Sequence, residues 1–356
     1  MPKQVRHDSR LLYKPHYLGG NSIGGALSLA LYHFHMQTFE QLSVQFTGFF
    51  NRDHFPQTPA TLYDPNRYFL QLGGKRVRPI LTLMGNELFD VIVPDAWKVG
   101  TAVELFHNFT LVHDDIMDRA PLRRGMVTVH EKFGESTALL AGDVMLVAAY
   151  EYLQQIDAKY LVRILPLFNK TAREVCEGQQ LDMDFESRDE VSLEEYEHMI
   201  SLKTSVLLAA SLKMGAILGG ASDRNQGLLY EFGRKVGLAF QVQDDYLDAF
   251  GDPEKFGKQV GGDILANKKT FLLIHALETA PKEDKEALEQ LLLSNSDHKV
   301  AEVISIFRKC GVDDWARHLK EQYLQQALQH LEDVAVVSNR KQPLTDLAHY
   351  LVSRDK

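Results

Sequence analysis

Apolar residues recur along most of the chain every three or four positions, the spacing that aligns one face of an α-helix. Hardly any segment alternates apolar and polar as a half-buried strand does. In DDWARHLKEQYLQQALQHLEDV, Trp315, Leu319, Tyr323, Ala327 and Leu331 repeat at four-residue spacing behind Asp313 and Asp314, both good N-cap residue types. The same pattern predicts helices over roughly 76–90, 97–118, 134–155, 160–187, 192–219, 223–250 and 267–278. Between them lie turn-rich breaks such as HFPQTPA, VIVPDA, RAPLRRG, GGASD and FGDPEKFGKQVGGD. None of these is a long linker and composition never shifts, so the expectation is an all-α chain: one helical domain, residues 36–356, of about ten or more helices.

Residues 1–35 read differently. Lys3, Arg6, Arg10 and Lys14 precede IGGALSLALYHFH, which loosely matches a targeting peptide. The apolar part comes late, is broken by glycines and has no convincing cleavage site. The expectation is an irregular N-terminal extension, or an upstream start with Met36 as the natural beginning.

With 356 residues, 45% hydrophobic, the chain is long enough for a large core, and its net charge of -9 argues against nucleic-acid binding. Cys176 and Cys310 lie far apart without metal-ligand spacing, which fits a reducing cytoplasm. No apolar run reaches membrane-spanning length, so no transmembrane segment is expected.

The chemistry concentrates in two similar stretches, HDDIMD at 113–118 and QDDYLD at 243–248. On a helix, Asp114 with Asp118, and Asp244 with Asp248, point pairs of carboxylates the same way, while Asp115 and Asp245 sit one residue round. Like charges so placed destabilise a helix unless something offsets them. Mg²⁺ does so with a few carboxylates, several waters and phosphate oxygens. One such box alone reads equally well as a solvated helix end, but both copies are embedded in apolar sequence, which a merely solvated face does not carry. Arg123 and Arg124 follow the first box, and GGKRVRP supplies Lys75, Arg76 and Arg78 upstream, groups suited to gripping phosphate.

Taken in order, GGKRVRP, HDDIMD with LRRG, GDVML, EGQQLDMDF, LKTSVLL, AFQVQDDYLD, FGKQVGGDI and NKKT resemble the trans-type isoprenyl diphosphate synthases, or polyprenyl synthetases, over nearly the whole chain from about residue 40. The resemblance implies the isoprenoid synthase fold, a helical bundle around a central cleft, and a homodimer. It implies that Asp114, Asp118 and Asp244 bind Mg²⁺, three ions with substrate present, which clamp an allylic diphosphate, with Asp115, Asp245 and Asp248 completing the boxes. By the same likeness Arg123, Lys203, Lys258 and Lys268 contact that diphosphate. Lys75, Arg78, His107 and Arg124 hold isopentenyl diphosphate, and Thr204, Phe240 and Gln241 line the reacting centre. The implied reaction is ionisation of the allylic substrate (dimethylallyl, geranyl or farnesyl diphosphate), attack by the isopentenyl double bond, and proton loss.

Phe109 lies five residues before Asp114, about 7.5 Å along the helix, and Phe106 about 12 Å away, so both are expected to point down the cleft with small Thr110 beside them. In the resembled family an aromatic at the position of Phe109 limits elongation, which implies a product of fifteen or twenty carbons, with twenty favoured. A longer-chain synthase and a terpene cyclase remain alternatives. So does a di-iron bundle, because Glu104 with His107 and Glu195 with His198 satisfy its Glu-x-x-His spacing.

Overall fold

The computed structural model describes residues 36–252, 260–294 and 296–353, all within one compact unit, His35–Lys356. The chain is all-α. The central helices are α3 (Val77–Glu87), α4 (Pro94–Met117), α9 (Val206–Leu218) and α10 (Asp223–Phe250), which pack on one another. The middle of α4 and nearly all of α9 are buried on every side, the pattern of core helices rather than surface ones. Before them come α1 (Phe39–Phe50) and α2 (Ala60–Gln71). Around them lie α5 (Val129–Phe133), α6 (Glu135–Leu153), α7 (Ala158–Glu186) and α8 (Leu193–Ile200). The C-terminal part adds α11 (Gly262–Leu265), α12 (Phe271–Thr279), α13 (Lys282–Leu292), α14 (Lys299–Lys309), α15 (Val312–Glu332) and α16 (Ser338–Ser353).

Helix starts follow local chemistry. Thr38 with Gln41 and Ser192 with Glu195 form reciprocal capping boxes for α1 and α8. Pro94 opens α4 a turn earlier than the periodicity implied, because a proline lacks only an N–H that the first turn cannot use. The N-cap expectation at α15 needs correction. Gly311 takes that position in a left-handed conformation, and Asp313 and Asp314 sit inside the first turn, where their charges face the positive end of the helix dipole.

Two departures from plain α-helix shape the site. In the RAPLRRG break, β1 (Leu122–Arg123) pairs antiparallel with β2 (Met126–Val127). Arg124 and Gly125 both carry positive φ, 53° and 76°, the signature of a two-residue hairpin turn. Between α8 and α9 the helix is continuous from Leu193 to Leu218 but widens into a π turn over Ser201–Ser205. Such turns are frequent at functional sites. This helix also amends the sequence reading. It is long and apolar enough to cross a membrane by length and composition, yet 72% of its most apolar window is buried inside the fold.

Candidate active site

The first aspartate box ends α4. Asp118 is its C-cap residue, so the carboxylates gather where the helix dipole is negative. The hairpin returns Arg123 against them. Its Nε donates to both oxygens of Asp115 at 2.8 and 2.9 Å, and a terminal nitrogen reaches Asp114 at 3.3 Å. Asp115 is buried, and burial raises its carboxyl above the ordinary range despite Arg123, whereas Asp114 stays half-open to the cleft. Asp118 is pushed up as well, by desolvation first and the Asp114 charge second.

The second box, on α10, divides the same way. Asp245 is buried and accepts bonds from the Gln241 amide (2.8 Å), the Tyr196 hydroxyl (3.2 Å) and the Phe271 backbone N–H (3.2 Å). Burial, then the charge of Asp263, pushes its carboxyl well above the ordinary value. Asp244 is half-buried at the cleft, and Asp248 accepts the Asp263 backbone N–H at 3.0 Å. In both boxes the middle aspartate is tied into the protein, while the first, Asp114 or Asp244, lines the cleft.

The π turn brings in Lys203 and Thr204. Two glycines make that possible. A methyl group on Gly178 of α7 would overlap the Lys203 backbone nitrogen, and one on Gly237 of α10 would lie 2.6 Å from the Ser205 hydroxyl. Lys203 then reaches Asp182 at 2.5 Å and Asp114 at 3.5 Å. Burial alone would lower its ammonium, but Asp114 and Asp182 outweigh it and hold it above its ordinary value. Lys268 stands 3.9 Å from Asp263 and is likewise raised, burial being outweighed by Asp263 and Asp182.

A second basic group lies upstream. Arg78 donates to Nε2 of His107 at 3.1 Å. A guanidinium can only donate, so that nitrogen is unprotonated, in keeping with a His107 pKa held well below 6.5 by burial and then by Arg78. Burial lowers the Arg78 guanidinium to about 10, and Nε of Arg78 has no partner among the described residues. Arg76, left-handed at φ 52°, turns to Glu104 at 2.6 Å, and Glu104 accepts from Asn108. Arg124 packs on Gly74, and Lys75 lies over the Tyr350 ring of α16 at 5.8 Å.

Two cavities meet at Lys203 and Thr204. One, about 600 Å³, is lined by Asp182, Gln241, Asp244, Asp245, Asp263 and Lys268. The other, about 340 Å³, runs from Arg78, His107 and Asp114 past Thr110 and Phe109 to Val175, Met183 and Leu207. Phe106, expected beside Phe109, is instead fully buried behind it, 5.7 Å away and edge-on to Phe168. Phe240 is half-buried on α10, packed against the core. Lys258 lies outside the described residues.

The di-iron alternative does not survive. Glu104 is taken by Arg76 and Asn108, and Glu195 caps α8 and pairs with Arg188 at 2.8 Å. Sequence reasoning missed Tyr196 and Asp263. Tyr196 lay in the very EEYEH stretch that suggested iron, and an isolated buried tyrosine carries no local signal. Asp263 follows two glycines, and its neighbourhood to Asp248 is purely tertiary.

Sequence and structure comparisons agree with this geometry. The family model described as polyprenyl synthetase matches residues 59–310. A short chain isoprenyl diphosphate synthase of Methanothermobacter thermautotrophicus is 40% identical over 299 residues, covering 84% of this chain and 92% of that protein. A geranylgeranyl diphosphate synthase of Methanosarcina mazei is 40% identical over 299 residues, covering 83% and 91%. A crystal structure of geranylgeranyl pyrophosphate synthase superposes with a TM-score of 0.86 at 44% identity, over 90% of this chain and 100% of the other. With a family model that spans residues 59–310 and relatives 40% identical over more than four fifths of the chain, the chain belongs to the polyprenyl synthetase family of trans-prenyltransferases.

Proposed function

We propose that the protein condenses isopentenyl diphosphate with an allylic diphosphate to make a short-chain product, with the twenty-carbon geranylgeranyl diphosphate favoured over fifteen. The observation that carries this reading is that two cavities share Lys203 and Thr204: a charged chamber suited to diphosphate borders an apolar channel suited to a hydrocarbon tail. The names of the similar proteins, geranylgeranyl and short-chain synthases, support the product class.

The donor set fits Mg²⁺. Asp114, Asp118 and Asp244 offer only hard oxygens and do not close a cage by themselves, which suits an ion that keeps waters and takes substrate oxygens. When bound, Mg²⁺ neutralises charge growing on the leaving diphosphate. Lys203, Lys268 and Arg123 surround the same region with fixed positive charge, and such preorganised groups act most strongly as charge develops. Arg78, Arg124 and Lys75 form the second anion site, for isopentenyl diphosphate. His107, kept neutral with Nε2 accepting from Arg78, offers its Nδ1–H as a donor without adding charge. The Thr204 hydroxyl and Gln241 amide line the reacting centre, and the proton lost from the condensed product leaves with the diphosphate.

The catalytic domain in this reading is 36–356, and an enzyme lacking residues 1–35 keeps its activity. Two free cysteines support a reducing cytoplasm. A homodimer is supported by α6, where Leu140 and Val147, 56% and 57% exposed, flank Val144 on one face. Replacing Leu140 and Val147 with Glu should halve the mass seen by light scattering; a monomeric parent protein would contradict the pairing. The reaction itself is tested with labelled isopentenyl diphosphate and geranyl diphosphate. Extractable product should form with Mg²⁺ and vanish with chelator, and equal turnover in chelator would sink the mechanism.

A further inference from the structure

At the head of the apolar channel stands a side chain that the proposed chemistry does not use. His113 precedes Asp114 on α4, and its ring lines the channel beside Phe109. Its Nε2–H donates to the Leu139 carbonyl of α6 at 3.0 Å. Phe109 meets the ring edge-on with centroids 4.7 Å apart. On the α6 side the ring rests on Gly142, so closely that a methyl group there would overlap Nε2 and Cδ2. Phe109 is therefore held between two supports, Phe106 behind it and His113 beside it.

We infer that His113, seated on Gly142, is a positioning residue that fixes the Phe109 ring and thereby sets how long a hydrocarbon chain the channel accepts. The inference rests on the prenyl-transfer reading above. Its physical content is steric. The Leu139 carbonyl and the bare Gly142 backbone give the imidazole one seat, and the seated ring bars Phe109 from swinging toward α6. Remove the ring and Phe109 gains room, which deepens the channel. Fill the seat instead, and the imidazole is driven off α6 into the channel, which shortens it. Doing both places the new methyl in the space the ring has left, so the two opposite effects should largely cancel, as expected for residues in direct contact.

The test is the chromatographic profile of dephosphorylated products from the full chain, with geranyl diphosphate and labelled isopentenyl diphosphate under Mg²⁺. His113→Ala should raise the share of products longer than the parent's main product by about tenfold, the lower end of what one methylene of pocket space is worth. Gly142→Ala should move the main product one isoprene unit shorter, and the double variant should lie between the single variants, near the parent. Chain length is the telling readout, because a merely structural role would lower yield and stability without moving the profile. If the parent enzyme makes no condensation product, the prenyl-transfer reading itself fails. If the parent condenses and folded His113→Ala gives the parent profile, the positioning role is overturned while the reading stands. Failure of His113→Ala to fold would also overturn it, by assigning the ring to stability alone. Should only Gly142→Ala fail to fold, His113→Ala and the double variant decide.

Discussion

The division within each aspartate box can be tested by comparing Asp115→Asn with Asp114→Asn. Asp115 is 1% exposed and receives a two-pronged bond from Arg123, whose side chain is 22% exposed. An amide cannot accept on both atoms, so the substitution turns an N–H toward a guanidinium and leaves a half-buried cation without its partner. Removing one member of a fully buried pair costs about 3–5 kcal/mol. Because Arg123 keeps some access to water and to Asp114, about 2–3 kcal/mol is the better figure here. At about 2–4 °C per kcal/mol for large domains, that lowers Tm by about 4–12 °C. Asp114 faces the cleft, and its replacement should leave Tm nearly unchanged while cutting kcat by about 10²–10³, the usual loss when one group that stabilises developing charge is removed. The assays are calorimetry and Mg²⁺-dependent incorporation of labelled isopentenyl diphosphate. The reasoning fails if Asp115→Asn keeps the parent Tm while its kcat collapses as far as that of Asp114→Asn, since that result would make the middle carboxylate a working ligand rather than an anchor.

Two further predictions follow from buried groups. His54 donates through Nε2 to the Phe50 carbonyl and lies 2.8 Å from the Tyr152 hydroxyl, and burial lowers its pKa from 6.5 to about 4. The unfolded chain therefore binds the proton first. Stability from this group is complete above pH 6.5 and is lost as pH falls toward 4, by roughly 2 kcal/mol at pH 5. His54→Gln should flatten the fall of Tm between pH 7 and 5, and parallel slopes for the two proteins would contradict the assignment. Gly178→Ala forces a methyl onto the Lys203 backbone, which cannot rotate away as a side chain could. It should cost about 1–3 kcal/mol and lower kcat together with stability; a variant with parental kcat would show that the π turn tolerates displacement.

How much of this was legible in the sequence depends on the range of the force involved. Helix interiors such as 223–250 were read to the residue because apolar periodicity is local, and Ser222 caps the helix as its side chain allows. The paired boxes and basic loop were visible because the chemistry needs particular residue types at fixed helical spacing. The resemblance set Asp114 apart from Asp115 as a metal ligand, but their unequal burial was not legible, since that of Asp115 depends on a hairpin eight residues away and that of Asp245 on Tyr196 and Phe271. Phe106 and Phe109, three residues apart on one helix, were expected to share the channel, but Phe168 of α7 draws Phe106 into the core. The π turn was invisible for another reason: LKTSV has the same apolar rhythm in a π turn as in an α turn, and only the approach of Gly178 and Gly237 distinguishes them.

That widened turn also sets where the helix tolerates a change in length. An α-helix advances about 100° per residue, so losing a residue from a regular stretch rotates everything after it by more than a quarter circle, whereas a π turn holds one residue more than an α turn, and losing one from Ser201–Ser205 closes it to an ordinary turn without that rotation. Val206–Leu218 is buried on nearly every side, and its Gly215 lies against the Thr82 backbone of α3 so closely that no side chain fits between. A one-residue loss within Val206–Met214 would bring Ala216 to that gap. A deletion inside Ser201–Ser205 should therefore lower Tm less than one inside Val206–Met214, and deletion scanning across 195–215 should find its shallowest point at the π turn.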